Sequence, residues 1–291
     1  MSKHICVTVD TSPLSLHALP AAGTIARPGD VIELVTAVDP VPPFSLPGYA
    51  AAAAQWVDKR HAEVTPLLGV EGCEVRSTHL ERAPRGLAEF FEERRPDVLV
   101  IATHGRGPVS RNWLGSTTDR LLRGGTTPLL VVRPEGDGEP DPGDWPPIRK
   151  VLVPLDGSEL AEQAVDGALA IFGDEIALTL VRIVEAGHLP GSPYLPDQIR
   201  DRKEAVEEAQ RYMEQAVTGI RSRSLRVEGH VRSGDRASSE IVAAAADVDV
   251  IALATHGRGG LTRATLGSVA DKVIRLASRP VLVLPAGGAR R

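Results

Sequence analysis

Short runs of Val, Ile and Leu alternate along the chain with segments whose apolar residues recur every three or four positions. The runs fall near 4–9, 31–38, 74–80, 98–102 and 129–132, and again near 150–154, 177–184, 226–231, 250–254 and 281–284. Uninterrupted apolar runs of this kind suit parallel strands covered on both faces, and the intervening periodicity predicts helices, so the chain reads as repeated βα units. Leu160, Ala164, Val165, Ala168 and Phe172 form one apolar stripe, which predicts a helix over 159–172 with that stripe in the core. Pro20 falls inside the corresponding earlier helix and is expected to kink or shorten it. A longer segment follows the second strand of each set, 39–56 and 185–197, with several prolines and either Tyr49 or Tyr194. These read as surface loops, with a cover over a ligand site as the functional alternative.

The two sets are copies. Ala102-Thr103-His104-Gly105-Arg106-Gly107 returns 152 residues later as Ala254-Thr255-His256-Gly257-Arg258-Gly259, and Leu114-Gly115-Ser116 returns at the same offset as Leu266-Gly267-Ser268. Val9-Asp10-Thr11-Ser12 answers Leu155-Asp156-Gly157-Ser158 at an offset of 146. The expected organisation is a first domain over 1–134, a Pro, Gly and acid-rich linker over 135–147, and a second domain over 148–287. Trp145 is expected to pack the linker onto a domain.

Composition narrows the class. Of 291 residues 42% are hydrophobic and only 3% aromatic, so the cores must be filled by Val, Leu, Ile and Ala. The formal charge of −5 gives no reason to expect a nucleic-acid or anionic-membrane partner. Cys6 and Cys73, the two cysteines, exclude a disulfide framework and a four-cysteine zinc site, and read as small buried hydrophobes in a reducing compartment. Asp10 and Thr11 follow the N-terminus before an apolar leader can form, and the longest uncharged stretch, 40–57, is broken by Pro42, Pro43 and Pro47. A cytoplasmic protein without a membrane partner is expected.

The chemistry concentrates where the fourth strand of each copy runs into a glycine-rich loop and then a helix. Unpaired N–H groups at a helix start, its positive dipole end, and glycines that admit close approach make a phosphate site, to which Arg106, Arg111, Arg258 and Arg263 would add charge. Ser116-x-x-Asp119 and Ser268-x-x-Asp271 also match a helix capping box, which needs no ligand. Open α/β sheets bind ligands beyond the carboxyl ends of their strands where strand order reverses, which places Asp10 and Asp156, each ending a first strand, opposite the glycine loops. An acid there suits a ribose hydroxyl or a divalent ion; a turn or cap aspartate is the plainer alternative.

Asp-x-Ser after strand one, and His-Gly-x9-Gly-Ser before a last strand beginning Pro-x-Leu-Val, resemble the universal stress protein family over nearly the whole chain, twice in register. The resemblance implies an α/β fold of two tandem, open, doubly wound five-stranded parallel sheets, each ordered 3-2-1-4-5 with helices on both faces. It implies ATP at each strand 1/strand 4 switch point, often with a divalent cation such as Mg²⁺ between the phosphates. The family's glycine signature is Gly-x2-Gly-x9-Gly-Ser/Thr; Ala102 and Ala254 stand at its first glycine, while Gly105, Gly115, Ser116 and Gly257, Gly267, Ser268 match. By the same resemblance Asp10 and Asp156 would face the ribose or the metal, and the backbone near Val38 and Val184 would read the adenine. Gly115-Ser116-Thr117 and Gly267-Ser268-Val269 would hold the phosphates, beside His104, Arg106, Gly107, His256, Arg258 and Gly259.

His104 and His256 are expected to shape their loops, because neither copy offers a Ser/His/Asp spacing or further ligands for a metal. A P-loop and a dinucleotide fingerprint are both missing from the sequence. The expected function is an ATP-binding stress-response regulator whose nucleotide state controls a protein partner. The alternatives are a ligand-independent scaffold of the same fold, or a slow ATPase or autophosphorylating protein. No catalytic residue can be named, because no base is assignable to an attacking water. The last strands, 129–132 and 281–284, are expected to pair with each other or with a second chain, and a homodimer is expected by resemblance.

Overall fold

The computed structural model describes residues 2–10, 12–38, 49–81, 85–103, 114–134, 138–185, 196–255 and 266–286. The described residues divide into two compact units at Pro147/Ile148. In the first, β1 (His4–Thr8), α1 (Pro13–Leu16), α2 (Ala18–Ile25), β2 (Val31–Val38), α3 (Tyr49–Val64), β3 (Glu74–Glu81), α4 (Arg85–Arg94), β4 (Val98–Ala102), α5 (Ser116–Gly124) and β5 (Leu129–Val132) follow in order. The second repeats the plan with β6 (Lys150–Leu155), α6 (Glu159–Phe172), β7 (Ala177–Glu185), α7 (Pro196–Arg221), β8 (Arg226–Gly234), α8 (Ala237–Ala244), β9 (Val250–Thr255), α9 (Ser268–Leu276) and β10 (Val281–Pro285).

The strands of the first unit lie in the order β3-β2-β1-β4-β5 and those of the second in the order β8-β7-β6-β9-β10. The pairings are parallel, with Ile5 opposite Val98 and Val151 opposite Val250 at the two reversal points. Ile5, Cys6 and Val7 of β1, Val98–Val100 of β4 and all of β5 are buried, which is why these strands read as unbroken apolar runs. β3 and β8 are instead polar and largely exposed, with Glu74, Arg76, Arg226 and Glu228 along them. Charge on an outer strand blunts unwanted pairing.

The helix over 159–172 forms as expected, with Ser158 Oγ capping its start by accepting from Ala161 N. Ala164, Val165, Ala168 and Ile171 are its buried stripe, whereas Leu160, expected in the core, lines a cavity. Pro20 acts three residues upstream of itself. The helix breaks at His17 and restarts as α2, because a proline denies its N–H to the carbonyl four residues back, here Leu16, and crowds it. The expected loop over 39–56 is shorter than predicted: α3 begins at Tyr49, driven by the run Ala50–Ala54. The linker lies against the first unit, with Gly138 O 2.9 Å from His17 Nε2, and Trp145 is half-buried.

Candidate functional site

Each unit carries a cavity at the carboxyl ends of its strands, beside the reversal of strand order. That of the first unit measures about 570 Å³ and is lined by Asp10, Ala37, Ala102, Gly115, Ser116 and Thr117 among others. Its counterpart measures about 390 Å³ and is lined by Asp156, Arg182, Ile183, Ala254, Gly267 and Ser268 among others. Both volumes fall within the roughly 300–1,000 Å³ of ordinary small-ligand sites.

Asp10 and Asp156 sit one step beyond the first strands and do two things at once. Asp10 Oδ1 accepts from Ser12 N at 2.7 Å and Ser12 Oγ at 2.6 Å; Asp156 Oδ1 accepts from Ser158 N at 2.9 Å and Ser158 Oγ at 2.5 Å. These are Asx turns, so the turn reading holds for one oxygen. The other oxygen, Oδ2, has no protein partner among the described residues in either unit, and both carboxylates line the cavities. In the second turn Gly157 takes φ +87, the left-handed region in which a side chain is strained. Burial pushes the Asp156 carboxyl up, but the Ser158 hydrogen bonds and nearby Arg182 outweigh it and hold it below its ordinary value.

Facing the aspartates are the starts of α5 and α9. The capping boxes that the sequence offers there as an alternative are not formed. The caps are Gly115 and Gly267, which have no side chain, while Asp119 turns to Arg123 and Asp271 to Arg275, each at 2.9 Å. The first helical bonds run from Asp119 N to Gly115 O and from Asp271 N to Gly267 O, so the N–H groups of Ser116–Thr118 and Ser268–Ala270 have no backbone partner among the described residues. Gly115 and Gly267 have φ −55 and −54, which any residue adopts, and a Cβ at either would meet no atom of the described residues within 4 Å. Neither conformation nor packing against the described residues requires glycine. The open space in front of them is the cavity itself.

Ala102 and Ala254 line the cavities at the ends of β4 and β9. Val38 and Val184 do not; the residues that do are Ala37 and Ile183, one position earlier. Val38 pairs with Glu81 and Val184 with Ser233 at the strand ends. His104, Gly105, Arg106, Gly107 and Arg111, with His256, Gly257, Arg258, Gly259 and Arg263, lie outside the described residues.

Sequence reasoning missed Arg182. A charge within the strand ALTLVRIVE was the available signal, and the 146-residue offset sets it against Thr36. Also missed was a second cluster, distant from the cavities, in which His4 Nε2, Cys6 Sγ and a Glu33 oxygen lie within 4.8 Å of one another. Glu33 is fully buried and accepts from Arg94 Nε at 3.0 Å, Arg94 Nη2 at 2.9 Å and Thr78 Oγ1 at 2.6 Å. A carboxylate so occupied by a guanidinium fork is an ion pair and not an open metal ligand.

The sequence pattern of the Universal stress protein family matches residues 1–133 and 147–285. The chain belongs to the universal stress protein family. A universal stress protein of Mycobacterium tuberculosis is 26% identical over 300 residues, covering 97% of this chain and 96% of its own. One from Mycobacterium bovis is 31% identical over 192 residues, a match that takes in 64% of this chain and spans 61% of the relative's length. Among solved structures, a universal stress protein from Archaeoglobus fulgidus superimposes with a TM-score of 0.68 at 18% identity, covering 98% of this chain and 99% of its own. A functionally unknown protein from Pseudomonas aeruginosa gives 0.62 at 17% identity, covering 98% and 92%. Both likenesses concern the fold. No helix among the described residues is long and apolar enough to cross a membrane.

Proposed function

We propose that each unit binds an adenine nucleotide, ATP foremost, and that the protein acts as a nucleotide-dependent stress-response regulator of a protein partner. The observation that carries the reading is the pair Gly115 and Gly267: ordinary backbone, no neighbour for a Cβ among the described residues, and a helix start without a side-chain cap directly behind. A phosphate fits such a place, because uncapped N–H groups and the dipole favour an anion and glycine admits it. The N–H groups of Ser116 and Thr117, and of Ser268 and Val269, would hold the phosphates. Asp10 and Asp156, through Oδ2, would take a ribose hydroxyl or a divalent cation, for which carboxylate and hydroxyl oxygens are fitting ligands. Ala37 and Ile183 at the strand-two ends would border the base.

The described lining of each cavity includes a single carboxylate and no histidine, cysteine or lysine. A bound nucleotide that favours one conformation over another regulates without turnover. Calorimetric titration with ATP of Gly115→Trp, Gly267→Trp and the double variant tests the assignment. The indole would fill each cavity from open space and leave the fold intact, so one site is expected to vanish in each single variant and both in the double. Undiminished binding in the double variant with unchanged melting overturns it.

A further inference from the structure

We propose, resting on the nucleotide reading above, that Arg182 replaces the divalent cation in the second unit: ATP binds there without a metal ion, whereas the first unit requires one. The two cavities share their architecture but not their charge. Among described lining residues the first carries Asp10 alone, and the second carries Asp156 together with Arg182. A polyphosphate brought to the first cavity meets a carboxylate with no cation beside it among the described lining residues, and a bridging cation relieves that repulsion. In the second the guanidinium already supplies the compensating charge.

Arg182 is placed for the task. It lies opposite Leu155 in the β6/β7 register, next to Asp156, and Nη1 reaches Leu155 O at 3.4 Å. That carbonyl is its one protein acceptor among the described residues, which leaves the rest of the donor fork for an anion. Its atoms also cover the Asp156-Gly157-Ser158 turn, since a Cβ on Gly157 would stand 3.7 Å from Nη1. In the first unit the equivalent residue, Thr36, is 5% exposed, and its short hydroxyl is held between Val9 O and His61. No cation can come from that position.

Three further positions point the same way. Ser15, Thr117 and Thr118 line the first cavity where Ala161, Val269 and Ala270 line the second. Hydroxyl oxygens suit a hard cation and its water shell; their loss suits a site that holds none. Arg106 and Arg111 recur as Arg258 and Arg263, so whatever charge they add is common to both copies.

The test uses the full chain with one site blocked, Gly115→Trp leaving the second and Gly267→Trp the first. Each is titrated calorimetrically with ATP in excess Mg²⁺ and again in EDTA. Removing Mg²⁺ is expected to weaken the first site at least about tenfold and the second less than about threefold. With ATP saturating, Mn²⁺ titration followed by electron paramagnetic resonance should count one tightly held ion per wild-type chain and none in Gly115→Trp. Arg182→Thr in the Gly115→Trp background should make the second site depend on Mg²⁺, and Arg182→Lys should not. Equal Mg²⁺ dependence at both sites, two Mn²⁺ per chain, or an unchanged Mg²⁺ response in Arg182→Thr overturns the proposal while leaving nucleotide binding standing. No ATP binding by the wild type under any ionic condition overturns the nucleotide reading itself, and this proposal with it.

Discussion

Thr36 and Arg182 occupy the same place in the two units and reach the same carbonyl, Val9 O at 2.6 Å in one and Leu155 O at 3.4 Å in the other. One is a buried hydroxyl fixed at both ends; the other is a half-exposed cation with donors to spare. Replacing them should therefore have opposite consequences. Thr36→Val strands Val9 O and His61 Nε2 and is expected to cost about 1–3 kcal/mol. Arg182→Thr should cost about 0.5 kcal/mol or less, as surface changes do, and act on ligand binding instead. Urea denaturation of both variants checks the contrast.

Glu33 gives the first unit an acid-sensitive bond. Burial pushes its carboxyl up, but hydrogen bonds from Arg94, Thr78 and His4 prevail and hold it down at about 2 against an ordinary 4.5. The unfolded chain therefore takes up a proton that the folded chain refuses. The stability this provides is complete above pH 4.5 and is lost as the pH falls toward 2. Glu33→Gln is expected to cost about 2 kcal/mol at pH 7 and to flatten the unfolding midpoint across that window.

His61 titrates in a separate window. It is 2% exposed between Thr36 Oγ1 at 2.8 Å and Ser77 Oγ at 2.7 Å, and burial pushes its imidazole down to about 4 from 6.5, against the pull of Asp58. Below pH 6.5 the unfolded chain gains a proton first, so stability falls as the pH drops from 6.5 toward 4. Denaturation midpoints at pH 7.5 and 5 should differ in the wild type and converge in His61→Gln.

Two glycines distinguish packing from binding. A Cβ on Gly23 would overlap the backbone carbonyl of Leu68, which cannot turn aside, so Gly23→Ala should destabilise by about 3 kcal/mol. Gly115→Ala meets no neighbour among the described residues and should leave the melting temperature within a degree or so of wild type while weakening ATP binding. Thermal melts alongside titrations separate the two effects.

These contrasts show what the sequence could and could not reveal. Strands such as Val98–Ala102 were legible because burial on both faces leaves an unbroken apolar run, and the repeat made each reading twice over. The start of α3 was not, because Pro42, Pro43 and Pro47 outweighed the alanines that follow them. Asp10 and Asp156 were found from their place after strand one, but that one oxygen is taken by the turn, leaving the other without a partner among the described residues, is a matter of geometry. Ser116-x-x-Asp119 looked like a cap, and only the position of Arg123, one turn on, shows where Asp119 goes. The backbone near Val38 was expected to read the base, and the neighbouring Ala37 is the strand-two residue whose side of the strand lines the cavity, a distinction of faces that alternates residue by residue. Arg182 passed unnoticed because apolar periodicity identifies the strand, not the exception in it.

The central claim is that both units take an adenine nucleotide. Mass spectrometry and absorbance of material released from freshly purified, heat-denatured protein, followed by calorimetric titration of the stripped chain with ATP and Mg²⁺, test it directly. The account predicts released adenine nucleotide and a titration that ends near two equivalents per chain. No adenine nucleotide on release and no heat at any of several temperatures would contradict it, and would leave a scaffold in which Gly115 and Gly267 face empty space for no ligand's sake.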